Sequence, residues 1–512
     1  MFSFIDNLLN RVTMYRLVLY YLVVLWAFAF VFFALHILAH SPIDLLFSTL
    51  VILGVCALTQ VVFAKVFQAA TNIESVYITA FILALIISPV SWSDASGIGF
   101  LVFVSVFAIA SKYILAIGKK HIFNPAALGV ALAALTIGQS ATWWVAGNSA
   151  LMPIVVIGGL CIVRKIRRFD LVIAFSVVSL ITISLTRLAG DPLTPMLQTF
   201  SHSAFFFLAF VMLTEPLTMP PERWTRILYG AIVGFLFAPH VHFGSFYPTP
   251  EIALLIGNIF AYAVSPKGRF MLTLKEKNKL GEGVYEFVFN PDRPLSFLPG
   301  QYLEWTLPHA KPDSRGNRRY FTIASSPTEN TVRLGVKVYE PSNTYKQALM
   351  GMPVGGMVSV SGLSGEFTLP KNKKKKLVFI AGGIGITPFR AMAQQMIDTK
   401  DTRDAALLYS NKTLTEVAYK DVFDRAKEVG LKTVYVITNE KVGEKIGGPA
   451  APAGVYGGML DAALIMREVP DFKERMFYLS GPHGMVEAFK KTLHGMGVSR
   501  FNIKADYFPG FV

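Results

Sequence analysis

Cysteine is nearly absent from this chain. Among 512 residues there are two, Cys56 and Cys161, and both lie inside long apolar runs. An iron–sulfur cluster takes about four thiolates at characteristic spacing, so the chain holds no cluster of its own, and no metal-ligand set is expected. The second half contains no cysteine, which excludes a disulfide framework there. Charge is also scarce. Asp, Glu, Lys and Arg make up 16% of the residues, against roughly 25% in a soluble protein. The balance is basic, at +15, but nothing points to nucleic acid, and the excess reads as membrane topology and contact with anionic lipid.

What is abundant is apolar sequence, at 53% of the chain, and it is concentrated in the first half. About ten runs approach the ~20 apolar residues that a helix needs to cross a bilayer. They cover 15–39, 43–64, 75–90, 98–117, 122–137, 149–163, 169–187, 200–214, 226–239 and 250–264. Threading them alternately across a bilayer puts Arg11, Arg16, Lys65, Lys119, Lys120, the run 164–168, Arg223, Arg226, Lys267 and Arg269 on one side. By the positive-inside rule that side is cytoplasmic, and it also holds the N-terminus and the polar second half. At about 25 residues the first run is too long for a cleavable signal.

After residue 265 the apolar runs shrink to strand length. From 270 to 370 short alternating segments punctuated by Gly and Pro, such as "GVYEFVFNP" and "TVRLGVKVYE", read as a small antiparallel barrel. From 371 onward strands alternate with amphipathic helices, the pattern of a parallel sheet wound on both faces. The expected architecture is therefore an all-α polytopic membrane domain of about ten helices (1–265), an antiparallel β-barrel (266–370) and an α/β domain (371–512). In "LVFIAGGIGITPF" a buried strand runs into Gly382, Gly383 and Gly385, with a helix from Pro388. Such a turn brings backbone amides and a helix N-terminus against a diphosphate. The run Lys373–Lys376 reads as a solvated turn before that strand.

In this order the motifs of residues 270–512 resemble the ferredoxin–NADP reductase superfamily of flavin reductases. "RYFTIASS" resembles its flavin motif, which implies Arg319 on the flavin phosphates and Tyr320, Phe321 and Thr322 as flavin contacts, Phe321 and Thr322 against the ring system. "SNTYKQAL" resembles the segment that holds the FAD diphosphate, placing Thr344 there. "GGIGITP" resembles the nicotinamide turn, with Thr387 and Pro388 facing the nicotinamide. "YLSGPHGMV" resembles the family's Cys-Gly-Pro segment beside the flavin, with Ser480 in place of cysteine before Gly481 and Pro482. The tail "DYFPGF" offers Phe508 and Phe511 as ring-covering aromatics. The resemblance implies FAD reduced by NADH or NADPH through hydride transfer, with Thr322 and Ser480 as candidate catalytic side chains. Ser410, Asn411 and Lys412, with Tyr419, are either a 2′-phosphate site or ordinary polar loop residues, which leaves the two nucleotides undecided.

Residues 70–240 resemble the B/D-type membrane subunits of the Na⁺-translocating NADH:quinone oxidoreductase and Rnf complexes, most specifically at "FNPA" and at Thr214-Glu215-Pro216. Asn124-Pro125 and Glu215-Pro216 break helices at the cytoplasmic ends of spans, and such breaks need a cavity, a cofactor or a neighbouring helix. The resemblance implies a membrane flavin with Asn124, Thr142, Thr214 and Glu215 as candidate contacts. In that family FMN is linked to a threonine within an acidic motif. Here "GQSATWW" supplies Thr142, but Thr136 stands where the acid belongs, so the expected flavin, FMN or riboflavin, is non-covalent. Glu74, Asp94, Glu215 and Glu251 are the ionisable candidates near span ends. Six of the nine histidines (36, 40, 121, 202, 240 and 242) lie in this half, but they do not form the two stacked pairs that a bis-haem reductase requires.

The function expected from these motifs is electron passage from NAD(P)H through FAD into the membrane domain, toward a quinone or an extracytoplasmic acceptor, with partner subunits as a further expectation. Without an iron–sulfur bridge, FAD must come near the membrane cofactor directly. The rivals are a haem-containing ferric-reductase or NADPH-oxidase type of enzyme, and a transporter or sensor regulated by its reductase module.

Overall fold

A computed structural model describes residues 5–6, 8–9, 12–67, 73–117, 120–185, 193–265, 269–309, 313, 316–439 and 454–508. The chain divides into two compact units, Met1–Lys267 and Gly268–Val512.

The first unit is helical. Its helices are α1 (Met14–Ala34), α2 (Pro42–Val66), α3 (Ile73–Ile86), α4 (Ala95–Ile114), α5 (Pro125–Thr136), α6 (Met152–Ile166), α7 (Phe169–Leu185), α8 (Leu193–His202), α9 (Arg223–Phe237) and α10 (Pro250–Val264). A helical turn, Phe205–Phe207, runs directly into a π-helical stretch, Leu208–Met212. Three helices begin on the same device, a polar cap followed by proline: Ser41-Pro42, Asn124-Pro125 and Thr249-Pro250. The cap side chain takes one of the otherwise unpaired first-turn amides, and proline lacks the N–H that would go unpaired there.

The expectation of about ten spans is corrected here. Each apolar run carries helix, but among the described residues three helices are long and apolar enough to cross a membrane: α1, α2 and α4, of 21, 25 and 20 residues. Helices α3, α5, α7 and α10 are apolar but only 14, 12, 17 and 15 residues long. At about 1.5 Å per residue, twelve residues rise about 18 Å against a hydrocarbon core of about 30 Å. Hydropathy measures how long a run stays apolar, whereas helix length is set by caps, prolines and breaks within the run. The run 200–214 shows this, divided between the end of α8, a turn and the π-helical stretch.

Glycines let these helices touch. A Cβ on Gly230 of α9 would come within 2.7 Å of the Leu171 carbonyl of α7, and one on Gly234 within 2.5 Å of the Phe175 carbonyl. Ser179 then donates to the Gly234 carbonyl at 2.9 Å. Small residues at such crossings permit the van der Waals contact that holds helices together in lipid.

The second unit has two sheets. The first is antiparallel, built from β1 (Phe270–Gly281), β2 (Val284–Pro291), β3 (Tyr302–Thr306), β4 (Arg318–Thr322), β5 (Val332–Lys337) and β6 (Met357–Ser364), in the order β4-β3-β6-β1-β2-β5. The end strands β4 and β5 are not paired in the sheet order, so the barrel expected from the sequence is an open half-barrel. Helix α11 (Thr344–Gly351) closes its apolar interior, with Tyr345 and Leu349 packed among Phe287, Phe289, Trp305 and Leu334.

The second sheet is parallel, with strands β7 (Leu377–Gly382), β8 (Ala405–Asn411), β9 (Leu431–Ile437), β10 (Val455–Gly457), β11 (Met476–Pro482) and β12 (Ile503–Phe508) in the order β10-β9-β8-β7-β11-β12. Helices α12 (Thr387–Asp398), α13 (Lys420–Ala426), α14 (Ala462–Glu468) and α15 (His483–Gly495) connect them. Every residue of β7 is buried, as expected of a central strand covered on both faces.

Candidate functional site

In the half-barrel, strand alternation sends Arg319 and Phe321 to one face of β4 and Tyr320 to the other. The Arg319 guanidinium binds both carboxylate oxygens of Asp313 at 2.9 and 3.0 Å and lies 5.0 Å over the Tyr345 ring. Phe321 contacts Trp305 and Tyr345 edge-on and at a tilt. Tyr320 is exposed, and its hydroxyl donates to Glu304 at 2.6 Å. Thr344 opens α11, and its hydroxyl accepts from the Asp313 amide at 3.1 Å and lies 3.2 Å from His309 Nε2. A fixed guanidinium thus stands beside a helix N-terminus, an arrangement suited to a diphosphate, and Asp313 is the anion that now pairs with it. Sequence reasoning misses His309 and Asp313, because each is a single polar residue in a loop without a motif.

Thr322 is buried, and its hydroxyl has no hydrogen-bond partner among the described residues. The same holds for Ser480 in β11, which is fully buried. An unpaired buried hydroxyl costs about 1–3 kcal/mol, so each is in want of a ligand atom. These orphans, with the Arg319–Thr344 corner, fit a bound flavin.

On the parallel sheet, register brings the nucleotide motifs together at one edge. Ser480 pairs with Ala381, Ser410 pairs with Gly382, and Phe508 pairs with Pro482. Phe511 lies outside the described residues. The three glycines after β7 differ in what they do. Gly383 has φ +53°, and a Cβ there would have nothing within 4 Å, so it alone needs the left-handed region and faces open space. A Cβ on Gly385 would meet the Ser480 carbonyl at 2.5 Å, and one on Gly382 would strike Met485 of α15. Those two glycines serve packing against β11 and α15. Thr387 and Pro388 open α12 and are buried, and Gly481 continues β11. Lys412 is exposed just beyond Ser410. Tyr419 is not available to a 2′-phosphate: it is buried, its ring lies 5.8 Å from Arg390, and burial with Glu286 beside it holds its phenol well above the ordinary range.

In the helical unit the structure brings two of the four cofactor candidates together. Asn124 caps α5 through Oδ1 and donates from Nδ2 to Glu215 at 2.9 Å. His121 Nε2 lies 3.2 Å from the other Glu215 oxygen, and Thr218 donates to Glu215 at 3.2 Å. Behind them Asn258 accepts from the Asn124 amide at 2.9 Å and donates to Tyr229 at 3.0 Å. Lys112 donates to Ser75 and Thr79 at 2.9–3.0 Å. A cleft opens onto this cluster, lined by Ser75, Thr79, Asn124, Pro125, Glu215 and Pro216 among others. The π-helical stretch ends just before Glu215, and such wide turns frequently mark functional positions. Lys112 and Asn258 escape sequence reasoning because each lies within a mostly apolar helix, and Thr218 because it is a single threonine in a loop. Thr214 instead donates to the Phe210 carbonyl of its own helical segment, and Thr142 lies with Ser88 and the Ile86 carbonyl. Of the other acids, Glu74 pairs with Arg16, Asp94 caps α4 and Glu251 accepts from Trp143. Among the described residues no group of His, Cys, Asp and Glu is arranged to hold a metal ion.

Comparison with known proteins bears on the second unit. Residues 271–369 match the family described as the oxidoreductase FAD-binding domain, and residues 379–491 the oxidoreductase NAD-binding domain. The chain is 24% identical over 245 residues to a flavohemoprotein of Oceanobacillus iheyensis, covering 46% of this chain and 57% of that protein. It is 27% identical over 299 residues to an NADPH nitrate reductase of Neurospora crassa, covering 51% and 30%. It is 29% identical over 238 residues to NADH-cytochrome b5 reductase 1 of Ajellomyces capsulatus, covering 44% and 74%. The chain thus spans little more than half of the first relative and under a third of the second. A solved FAD/NAD-binding domain of nitric oxide dioxygenase from Vibrio cholerae aligns with 47% of this chain and 98% of its own, at 20% identity and a TM-score of 0.40. Residues 271–491 therefore carry an oxidoreductase FAD-binding domain followed by an oxidoreductase NAD-binding domain, and FAD and a nicotinamide nucleotide are the cofactors of this module.

Proposed function

We propose that the protein is a membrane-bound NAD(P)H-dependent flavin oxidoreductase that delivers electrons from its FAD into the helical unit, toward a quinone or an extracytoplasmic acceptor. The observation that carries the membrane part is the Asn124–Glu215–His121 cluster at a cleft among apolar helices. Helix breaks at span ends leave polar groups that need a cavity, a cofactor or a neighbouring helix, and here they face a cleft. We assign this cleft to a second, non-covalent flavin, in keeping with the likeness of residues 70–240 to the B/D-type subunits. The polar module and the N-terminus then lie in the cytoplasm.

When bound, FAD supplies a two-electron acceptor for the nicotinamide that can release electrons singly. The side chains do the rest. Arg319 and the N-terminus of α11 hold the diphosphate, Phe321 seats the ring system, and Thr322 donates its unpaired hydroxyl to the ring edge. Gly383 admits the nicotinamide nucleotide to the N-terminus of α12, and the Ser480 hydroxyl, with Gly481 and Pro482, bounds the place where the two rings meet. If the donor is NADPH, Ser410 and Lys412 at the end of β8 are the residues we assign to its 2′-phosphate.

The test is an absorption spectrum of the detergent-purified chain before and after anaerobic NADH or NADPH, with flavin counted per chain. Bleaching of flavin bands with more than one flavin per chain supports the proposal. An intense Soret band with a split alpha band on reduction would replace it with a haem reductase.

A further inference from the structure

Strand β5 contains a glycine, Gly335, whose backbone does not require one. It lies in regular strand opposite Glu286 of β2, outside the left-handed region. Glycine within a strand weakens it, and often marks a place where another element approaches closely. Here the approaching element is the nicotinamide turn. A Cβ on Gly335 would lie 2.7 Å from Thr387 Cγ2, 2.7 Å from the Tyr419 hydroxyl oxygen and 3.4 Å from Ile384 Cδ1. Thr387 is the first residue of α12, and Tyr419 holds a left-handed backbone (φ 60°, ψ 28°) at the start of α13. Two ion pairs fasten the same surfaces. Arg390 of α12 binds Glu329 and the Ala324 carbonyl of the β4–β5 connection, and Lys337 at the end of β5 binds Glu416 at 2.7 Å.

We propose that Gly335 is a positioning residue for hydride transfer: its missing side chain sets how closely the nicotinamide turn seats on the flavin-bearing half-barrel. The inference rests on the reductase reading above. The ion pairs pull the two surfaces together, and Gly335 fixes where they stop. A methyl group there pushes Thr387 and the start of α12 outward while leaving Arg319, Thr344 and the flavin side untouched. Hydride transfer depends steeply on the approach of donor and acceptor, and a misplacement of about 1 Å can cost on the order of 10²-fold.

The experiment uses the full chain in detergent and follows flavin bleaching by NADH or NADPH in stopped flow, with flavin content measured on the same samples. G335A is expected to keep its FAD and to reduce it roughly ten- to a hundred-fold more slowly, with a weakened long-wavelength charge-transfer band. T387S removes the methyl that the new Cβ would meet, and Y419F removes the hydroxyl. G335A/T387S/Y419F, compared with T387S/Y419F, is expected to recover most of the lost rate, and G335A/T387S only part of it. If G335A reduces flavin as fast as the parent, or if it is slow and T387S and Y419F together do not restore it, the proposal fails. If G335A does not fold, the triple variant G335A/T387S/Y419F decides: recovery of flavin and rate supports the close-approach account, and its absence overturns it. Failure of the parent chain to bleach at all would instead refute the reductase reading.

Discussion

The hydroxyls of Thr322 and Ser480 make an unusual pair of mutational targets, because each is buried without a partner among the described residues. Removing either breaks no hydrogen bond within the fold. S480A is therefore expected to leave the melting temperature of the flavin-free protein unchanged or slightly raised. Flavin reduction by NAD(P)H is expected to slow by about tenfold, the worth of one net hydrogen bond. A loss of stability without a loss of rate would assign Ser480 to packing. Arg319 is the opposite case, since its Nη2 already engages Asp313 and its Nη1 the Gly316 and Arg318 carbonyls. R319K keeps the charge and loses the fork, and is expected to raise the Kd for FAD by roughly ten- to a hundred-fold in equilibrium titration. Residue by residue, the flavin and nicotinamide segments are legible in the sequence because their motifs are contiguous. Tyr419 is not, because its local context is polar while its burial comes from contact with the half-barrel.

At the level of elements, strand–turn–helix order can be read directly, since alternation and glycine punctuation are local. The helices of the first unit are harder. Their caps and prolines fall inside apolar runs, and the run length overstates the helix length. Helix α5 shows what the caps add, because Asn124 both starts the helix and holds Glu215. Aspartate caps helices as well as asparagine does. N124D is thus expected to preserve α5 while placing a second carboxylate against Glu215, expelling the membrane flavin and sparing FAD. Flavin per chain would fall by one, with some loss of thermal stability from the lost Asn124–Glu215 hydrogen bond, whereas an unchanged flavin count would remove Asn124 from the cofactor site. Packing is tested separately by G230A, whose Cβ meets the Leu171 carbonyl. It is expected to cost about 1–3 kcal/mol of stability in detergent unfolding without changing flavin content.

On the scale of the whole molecule, the boundary at Lys267 and Gly268 separates two compact units. Residues 268–512 produced alone are expected to bind one FAD and to bleach with NAD(P)H at the rate of the full chain, because every element of that site lies within this unit. They are expected to lose reduction of a quinone held in liposomes. Retention of quinone reduction by the fragment would remove the helical unit from the electron path.

The three glycines after β7 carry a consequence for how such chains change over generations. Gly382 and Gly385 are held by packing against α15 and β11, so a lineage that abandoned catalysis would still keep them for the fold. Gly383, open and left-handed, has no such second role. In a saturation library, selection for expression alone should purge changes at 382 and 385 while tolerating asparagine or other left-handed-compatible residues at 383, and only selection for electron delivery should protect all three.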